Sequence, residues 1–311
     1  MAKSIVWIVC DVGEDDAGML LVAHKLEAME IVGISAVAGN VPLAATYPNA
    51  RKICHLMQAE YPVYAGAARP LVRKQITAAH IHGSDGLSGV ELPLPGREKL
   101  ETLPAWDAMY QAALTHDNLE LIATGPLTNV AIALAKYPAL IQKLRRILIM
   151  GGAVVGGNRT PCAEFNIYAD PEAAESVFRS GVPMVMCGLD VTQKAYLTKA
   201  ELESIAALGS AQAKTFAAVL QPPLKRVLQD GWPGVPVHDL CPALYAVYPA
   251  LFTARQAGVF VETEGSVALG KTVADLDSDK KFADRHVTVA LGIDRKGFVE
   301  TVGKAMGKYR T

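Results

Sequence analysis

The chain has 311 residues, 51% hydrophobic and 20% charged, which is enough to bury the core of one large α/β domain. Its 30 basic and 31 acidic residues leave a formal net charge of −1, so no basic surface predicts binding to a nucleic-acid polymer. No apolar stretch approaches the roughly 20 residues of a membrane span, and five scattered cysteines indicate a reducing cytoplasm rather than a disulfide framework or a zinc site.

Short apolar, β-branched runs alternate with helical patterns through the first two-thirds of the chain. In chain order they predict strand 5–10, helix 17–29, strand 30–37, helix 49–58, strand 120–124, helix 129–136, strand 146–150, helix 171–180 and strand 183–187. Alternation of helices with continuously apolar strands is typical of a mainly parallel, twisted sheet flanked by helices. The sequence therefore predicts a Rossmann-like α/β fold.

The last third of the chain has a different pattern. Residues 195–229 look helical, and we expect Pro222 and Pro223 to break or kink that helix. From about Val259 onward the sequence is rich in strand patterns. Because no low-complexity linker interrupts the chain, we predict a single domain over residues 1–311.

Polar or glycine-rich segments follow four of the predicted strands, at residues 11–16, 38–41, 125–129 and 151–166. Ligands of open α/β sheets bind beyond the carboxyl ends of the strands. We therefore expect these four segments to assemble one site.

The first of these segments is strongly acidic, with Asp11, Glu14, Asp15 and Asp16 within six residues. A cation would offset their mutual repulsion, and carboxylates without nearby His or Cys favour Ca²⁺ or Mg²⁺ over zinc. The alternative is that Asp15 and Asp16 merely cap the following helix. Spacing alone does not distinguish the two.

A second motif is His238-Asp239, which follows a loop rich in glycine and proline. Such a pair is typical either of an acid beside a metal ligand or of a helix cap. Taken in isolation, the pair favours the cap.

A third motif lies in the glycine-rich loop that contains Asn158, Glu164, Phe165 and Asn166. Two amides, a carboxylate and a phenyl ring suit a sugar with several hydroxyl groups, because such side chains donate to or accept from each hydroxyl. Ordinary turn chemistry is an equally good explanation of the loop by itself.

Together the motifs resemble the inosine–uridine-preferring nucleoside hydrolase family over nearly the whole chain. The matches are Asp-x-Gly-x-Asp-Asp-Ala at 11–17, Ala-Gly-Asn-Val at 38–41, His-Gly-Ser-Asp-Gly-Leu at 82–87, Gly-Pro-Leu-Thr-Asn at 125–129, the loop 150–166 with Asp-Pro-Glu-Ala at 170–173, and His-Asp at 238–239. The resemblance implies the nucleoside hydrolase fold. It also implies calcium-dependent hydrolysis of the N-glycosidic bond of a purine or pyrimidine ribonucleoside, giving free base and ribose.

The resemblance assigns a metal site and two catalytic groups. Asp11, Asp15 and Asp239 would bind Ca²⁺ together with the backbone carbonyl of Thr128, and oxygen ligands from distant segments suit this ion. Asp11 would also take a proton from the metal-bound water, whose pKa the cation lowers. His238 would protonate the departing base.

The resemblance also implies a set of substrate-binding residues, of which the last two would line the base pocket. They are Asp16, Asn40, Asn158, Glu164, Asn166, Phe165 and His82. The implied partner is a small-molecule nucleoside, and by analogy with the family we expect a homodimer or homotetramer.

The chain departs from the family pattern at three positions near the first motif. Val9 stands where the family usually has a second Asp, Val12 replaces a usual Pro, and Glu14 replaces a smaller or neutral residue. The segment 220–232, expected to cover the base, lacks the tyrosines often found there and carries Lys225 and Arg226 instead.

These departures leave three hypotheses. The favoured one is hydrolysis of common ribonucleosides. The changed segment 220–232 and Glu14 motivate a family member that acts on an unusual or modified nucleoside, and Val9 motivates a non-catalytic calcium- or nucleoside-binding homologue. The retained Asp11, Asp15, Asp239 and His238 favour an enzyme, since a protein that only binds needs no leaving-group acid.

Overall fold

The computed structural model describes residues 3–93, 95–96, 100–276 and 286–310. Its strands are β1 Ser4–Cys10, β2 Met29–Ala36, β3 Val63–Ala65, β4 Leu119–Ala123, β5 Leu144–Met150, β6 Met184–Cys187, β7 Tyr196–Leu197, β8 Val235–Pro236, β9 Phe252–Val261, β10 Thr272–Asp275 and β11 His286–Ile293. The helices are α1 Glu14–Ala23, α2 Leu43–Met57, α3 Ala79–His82, α4 Ala105–Thr115, α5 Thr128–Lys136, α6 Leu140–Lys143, α7 Phe165–Ala169, α8 Pro171–Phe178, α9 Leu189–Thr192, α10 Lys199–Ala206, α11 Ala211–Gln229, α12 Leu240–Val247 and α13 Arg295–Met306.

Nine strands form one sheet in the order β10-β9-β11-β6-β5-β4-β1-β2-β3. From β11 to β3 every neighbouring pair is parallel, and β9 pairs antiparallel with both β11 and β10. β7 and β8 form a separate two-stranded ribbon. The predicted mainly parallel α/β architecture is confirmed.

The central strand β1 shows why helices cover both faces of the sheet. Its side chains alternate: Val6, Ile8 and Cys10 pack into one apolar core, whereas Trp7 and Val9 pack into the other. A strand buried on both faces reads as a continuous apolar run, which is the pattern that the sequence has. Across the described ranges, no helix combines the length and apolar character needed to traverse a lipid bilayer.

Helix α1 differs in extent from the predicted helix 17–29. It begins at Glu14, because Asp16 accepts a hydrogen bond from the Gly13 N–H at 3.0 Å and so starts the helix earlier. It ends at Ala23, and turns at residues 24–28 lead into β2. The capping interpretation of Asp16 is therefore correct, and it does not exclude a role in a metal site.

The prediction of one helical segment over 195–229 was wrong. The segment contains β7, then α10, which begins with a capping box of Thr198 and Glu201, then α11, which Ser210 caps. Pro222 and Pro223 lie inside α11 and do not end it. The strand-rich closing segment is present as β9 to β11, but the helical α13 that follows was not predicted.

Candidate active site

A cleft of about 390 Å³ opens where the parallel strands reach their carboxyl ends. Asn40, Thr124 and Met150 line it and follow or end β2, β4 and β5. The predicted site residues that line the cleft are Asp15, Asn40, His82, Asn158, Glu164, Phe165, Asn166, His238 and Asp239. Three of the four polar segments, 11–16, 38–41 and 151–166, thus line the cleft, whereas no residue of 125–129 does. Gly125 of that fourth segment lies against the Asp11 carboxylate instead.

Three carboxylates converge at the floor of the cleft. Asp15, Asp16 and Asp239 each offer one oxygen, and these oxygens all lie within 4.8 Å of one another. Asp16 and Asp239 are buried and Asp15 is partly exposed, and Asp15 and Asp239 line the cleft. Asp239 precedes α12, but its side chain makes no capping hydrogen bond, so the simple cap interpretation fails there.

Asp11 lies buried next to this cluster in a space shaped by two glycines. Its Oδ2 accepts a hydrogen bond from the backbone N–H of Asn40 at 2.6 Å. A Cβ added at Gly39 would lie 2.0 Å from Oδ2, and one at Gly125 would lie 2.7 Å from Oδ1. In the described part of the chain, Oδ1 has no hydrogen-bond partner. A buried carboxylate oxygen without a donor is the type of atom that a cation would satisfy.

The pKa values of the clustered carboxyl groups also indicate a cation site. Burial, followed by the charge of Asp15, raises the pKa of Asp16 to about 8. Burial and neighbouring carboxylates also raise the pKa values of Asp11 and Asp239 well above their usual range. These groups need either protons or a cation to be stable together at neutral pH, so the residues present fit a divalent metal ion.

Thr128 was the predicted backbone ligand, but the structure brings Thr124 to the cleft instead. Thr128 begins α5, and its hydroxyl donates to Asp170 at 2.6 Å, so it does not line the cleft. The Thr124 hydroxyl donates to Asp16 Oδ1 at 2.7 Å. Its position just after β4 was the available signal, because polar residues that directly follow a parallel strand lie at this edge.

The glycine-rich loop is tied together by its own side chains. Glu164 caps α7, with Oε1 accepting from the N–H of Asn166 at 2.9 Å and Oε2 from that of Gly152 at 3.0 Å. Burial raises the pKa of Glu164 to about 7. Asn166 donates to the Thr124 carbonyl at 2.9 Å, and Asn158 accepts from the Phe165 N–H at 2.9 Å. Turn chemistry and site formation are therefore both properties of this loop.

His80, His82 and His238 line the cleft, and the two that the sequence predicted, His82 and His238, differ in their surroundings. His238 Nδ1 shares a hydrogen bond with the Thr192 hydroxyl at 2.8 Å, and burial lowers the pKa of His238. His82 Nδ1 instead forms a hydrogen-bonded ion pair with Glu14. The sequence did not predict the contacts of Glu14 and Thr192, because the residues that they join are distant in the chain.

The end of α11 forms the roof of the cleft. Leu220, Pro223, Arg226 and Val227 line it, and the Arg226 guanidinium donates to the Ile81 carbonyl at 2.9 Å. Segment 220–232 therefore covers the cleft, as predicted, and Trp232 extends the lining beyond the helix.

Comparisons with known proteins point to one family over nearly the whole chain. A family model described as inosine-uridine preferring nucleoside hydrolase matches residues 6–300. The pyrimidine-specific ribonucleoside hydrolase RihA of Shewanella sp. (strain MR-7) is 38% identical over 99% of this chain and 98% of its own length. RihA of Salmonella enteritidis PT4 is 39% identical over 99% of this chain and 100% of its own length.

Solved structures share the fold. A plant nucleoside hydrolase superimposes with a TM-score of 0.92 at 28% identity, covering 98% of this chain and 99% of its own. The purine-preferring ribonucleoside hydrolase from Gardnerella vaginalis gives a TM-score of 0.91 at 30% identity, covering 98% of both chains.

Proposed function

Because the chain belongs to the inosine-uridine preferring nucleoside hydrolase family, whose members are metal-dependent and hydrolyse ribonucleosides to base and ribose, we propose that its cleft holds a ribonucleoside against a Ca²⁺ ion. The observation that carries the proposal is the convergence of the Asp15, Asp16 and Asp239 oxygens within 4.8 Å at the cleft floor. Carboxylate oxygens from separate segments suit the flexible coordination of calcium.

In this proposal the ligand set differs from the one that the resemblance implied. Asp16 joins Asp11, Asp15 and Asp239, because it is buried within the cluster rather than on the cleft wall. The Thr124 carbonyl takes the place of Thr128, since Thr124 lines the cleft and its hydroxyl contacts Asp16. Asp15 and Asp239 are the members of the cluster that also line the substrate space.

The bound cation would supply Lewis-acid activation of the attacking water and would offset the negative charge of the cluster. Asp11 is placed to accept the proton of that water, because Oδ2 is fixed by the Asn40 N–H while Oδ1 has no hydrogen-bond partner in the described residues. Gly39 and Gly125 make room for the carboxylate, because a Cβ at either position would lie within 2.7 Å of one of its oxygens.

The walls of the cleft would bind the two halves of the substrate. Asn158, Glu164 and Asn166 hold the ribose, and their bonds to loop backbone keep them in place before the substrate arrives. His238 protonates the departing base, since it lines the cleft directly beside the acid cluster. The nearby carboxylates stabilise the positive charge that develops on the ribose.

We further propose that pyrimidine ribonucleosides are the preferred substrates. The support is that relatives named as pyrimidine-specific share 38–39% identity over nearly full length, whereas the purine-preferring relative of known structure shares 30%. A ribonucleoside with a modified base is the second candidate, favoured by Arg226 and Trp232 at the roof. We retain a cytoplasmic location and a homodimeric or homotetrameric assembly as parts of the proposal.

The test is a substrate panel run with and without metal. Enzyme dialysed against EDTA is incubated with uridine, cytidine, inosine, adenosine and a base-modified uridine, with and without added Ca²⁺, and free base is quantified by chromatography. We expect calcium-dependent release of uracil and cytosine faster than release of purines. Full activity in EDTA would contradict the metal proposal, and faster release from inosine or from the modified nucleoside would contradict the pyrimidine preference.

A further inference from the structure

Glu14 is a carboxylate at the cleft that the metal cluster does not use. It stands in the first turn of α1 beside Asp15, and only 2% of its surface is exposed. The carboxylate oxygens that converge as a metal group belong to Asp15, Asp16 and Asp239, and Glu14 is not among them. A buried carboxylate requires partners, so its contacts reveal its role.

Both oxygens of Glu14 have partners from a distant segment. Oε2 is hydrogen-bonded to His82 Nδ1, 68 residues away in the chain, and Oε1 accepts from the Ser88 hydroxyl, 74 residues away. The side chains of Glu14 and His82 are 3% and 16% exposed, so solvent hardly screens this pair. Glu14 therefore joins the start of α1 to α3 and the loop that follows it.

The contact fixes the orientation of the His82 ring. A Cβ at Gly13 would lie 3.0 Å from Nδ1, so the absence of a side chain there lets the ring approach α1. The backbone around the ring is also held, because the Ser88 N–H donates to the His82 carbonyl at 3.1 Å. With Nδ1 occupied by Glu14, Nε2 is the ring nitrogen left for the substrate, and His82 lines the cleft.

Comparison with His238 shows how the Glu14 carboxylate changes the pKa of His82. His238 shares its Nδ1 hydrogen bond with a neutral hydroxyl, that of Thr192. For His82, burial lowers the pKa, but the hydrogen bond and charge of Glu14, with the charges of Asp15 and Asp11, outweigh it and the pKa is raised. A carboxylate on Nδ1 favours the imidazolium form, in which Nε2 also carries a proton.

From this geometry we propose that Glu14 is a positioning residue that holds His82 with Nε2–H directed at the departing base. The hydrogen bond from Nε2 stabilises negative charge on the base as the glycosidic bond breaks, while His238 delivers the proton. This inference rests on the proposed function, because it requires a nucleoside in the cleft.

The experiment compares substitutions that keep shape but remove charge. Glu14→Gln retains the size of the side chain and removes its charge, and Ser88→Ala removes the other partner of Glu14 without touching His82. Glu27→Gln is the matched control, because Glu27 is an exposed residue whose ion pair with Lys308 lies outside the cleft. Each is measured with uridine and with p-nitrophenyl riboside, whose leaving group needs no stabilisation.

We expect Glu14→Gln to lower kcat for uridine by about 10-fold, less than the roughly 10²-fold or more of direct proton transfer because Glu14 acts through His82. It should change kcat for p-nitrophenyl riboside by less than about threefold. Ser88→Ala should give an intermediate loss, and Glu27→Gln none. In a His82→Ala background, Glu14→Gln should not lower kcat for uridine any further, because its effect acts through His82. Ring ¹⁵N shifts of His82 should show a protonated Nδ1 in the wild type and a change in Glu14→Gln.

Three results would overturn the inference. The first is wild-type uridine turnover in Glu14→Gln. The second is an equal loss on both substrates with weaker calcium binding, which would place Glu14 in the metal site. The third is an undiminished effect of Glu14→Gln without His82. If the wild type releases no base from any nucleoside, the proposed function itself is overturned and the inference with it, whereas the first three results leave the proposed function standing.

Discussion

The floor and the roof of the cleft are built in opposite ways. At the floor, the carboxylates of Asp11 and Asp16 are buried and accept from the backbone N–H groups of Asn40 and Gly13. Both residues lie between the end of β1 and the first turn of α1. At the roof, the side chains come from one face of α11 and its exposed end, where Arg226 reaches across to the Ile81 carbonyl. Rigid, buried groups suit bond breaking, whereas a long side chain on an exposed helix end suits discrimination between bases.

The largest effect is expected at the floor. Asp11→Asn keeps the shape of the side chain but removes the base and one charge, so kcat should fall on the order of 10²-fold or more. Ribose binding should be affected less, provided that calcium stays bound. Steady-state kinetics with calcium affinity measured in parallel checks this, and near-normal turnover of the metal-loaded variant would show that Asp11 is not the base.

A second test separates the leaving-group acid from the metal site. His238→Ala should lower kcat for uridine on the order of 10²-fold, because the departing base is no longer protonated. It should change p-nitrophenyl riboside turnover far less and leave calcium affinity nearly intact. Equal losses on the two substrates would mean that His238 positions the ribose or the metal, and that the acid lies elsewhere.

Calcium should also stabilise the folded chain, because its ligands come from segments that are apart in the unfolded state. At a free concentration of about 100 times Kd, binding contributes about 2.7 kcal/mol. Thermal denaturation in EDTA and in calcium should therefore differ by several degrees in Tm. Asp239→Asn should lose most of that difference, and an unchanged wild-type Tm would argue against a calcium site.

The proposed calcium site also predicts how calcium affinity changes with pH. Without the ion, burial raises the pKa of Asp16 to about 8, so Asp16 carries a proton at pH 7 that the cation must displace. Calcium affinity should therefore increase as the pH rises from 6 towards 8. Calorimetry at pH 7 in two buffers of different ionisation enthalpy should detect proton release, and identical heats in both would contradict it.

The smallest effect is expected at the roof. Arg226→Ala removes a half-exposed side chain and its bond to Ile81, so total activity should change by only a few-fold. The ratio of kcat/KM for uridine to that for inosine should change more than kcat for either alone. A loss as large as that of Asp11→Asn would remove the distinction between floor and roof.

Sequence reasoning succeeded where function depends on local pattern. The apolar run before Asp11 predicted β1, and the position of polar residues after strands predicted the edge at which they meet. It failed where an element depends on capping: α10 and α11 were taken as one helix although Thr198 and Ser210 begin two. Local pattern also does not say which residue of a turn faces inward: Thr124 lines the cleft, whereas Thr128 begins α5 and donates to Asp170.

Contacts across long sequence separations were beyond the sequence. Glu14 appeared as a departure without a partner, and the structure shows that His82 and Ser88 share its carboxylate. The structure offers no substitute for the family's usual carboxylate at Val9. The Val9 side chain is fully buried in an apolar core, and only its backbone carbonyl contacts the site, by accepting from the Thr124 N–H at 2.8 Å.

The two glycines around Asp11 determine whether its motif can be transplanted. The acidic heptapeptide 11–17 needs a glycine shortly after each of the neighbouring strands β2 and β4. A single methyl group at position 39 or 125 would occupy the volume of the Asp11 carboxylate. A designer who copies the heptapeptide into another parallel sheet therefore has to copy three strand ends. The proposed metal site therefore depends on the whole edge of the sheet and not on residues 11–17 alone.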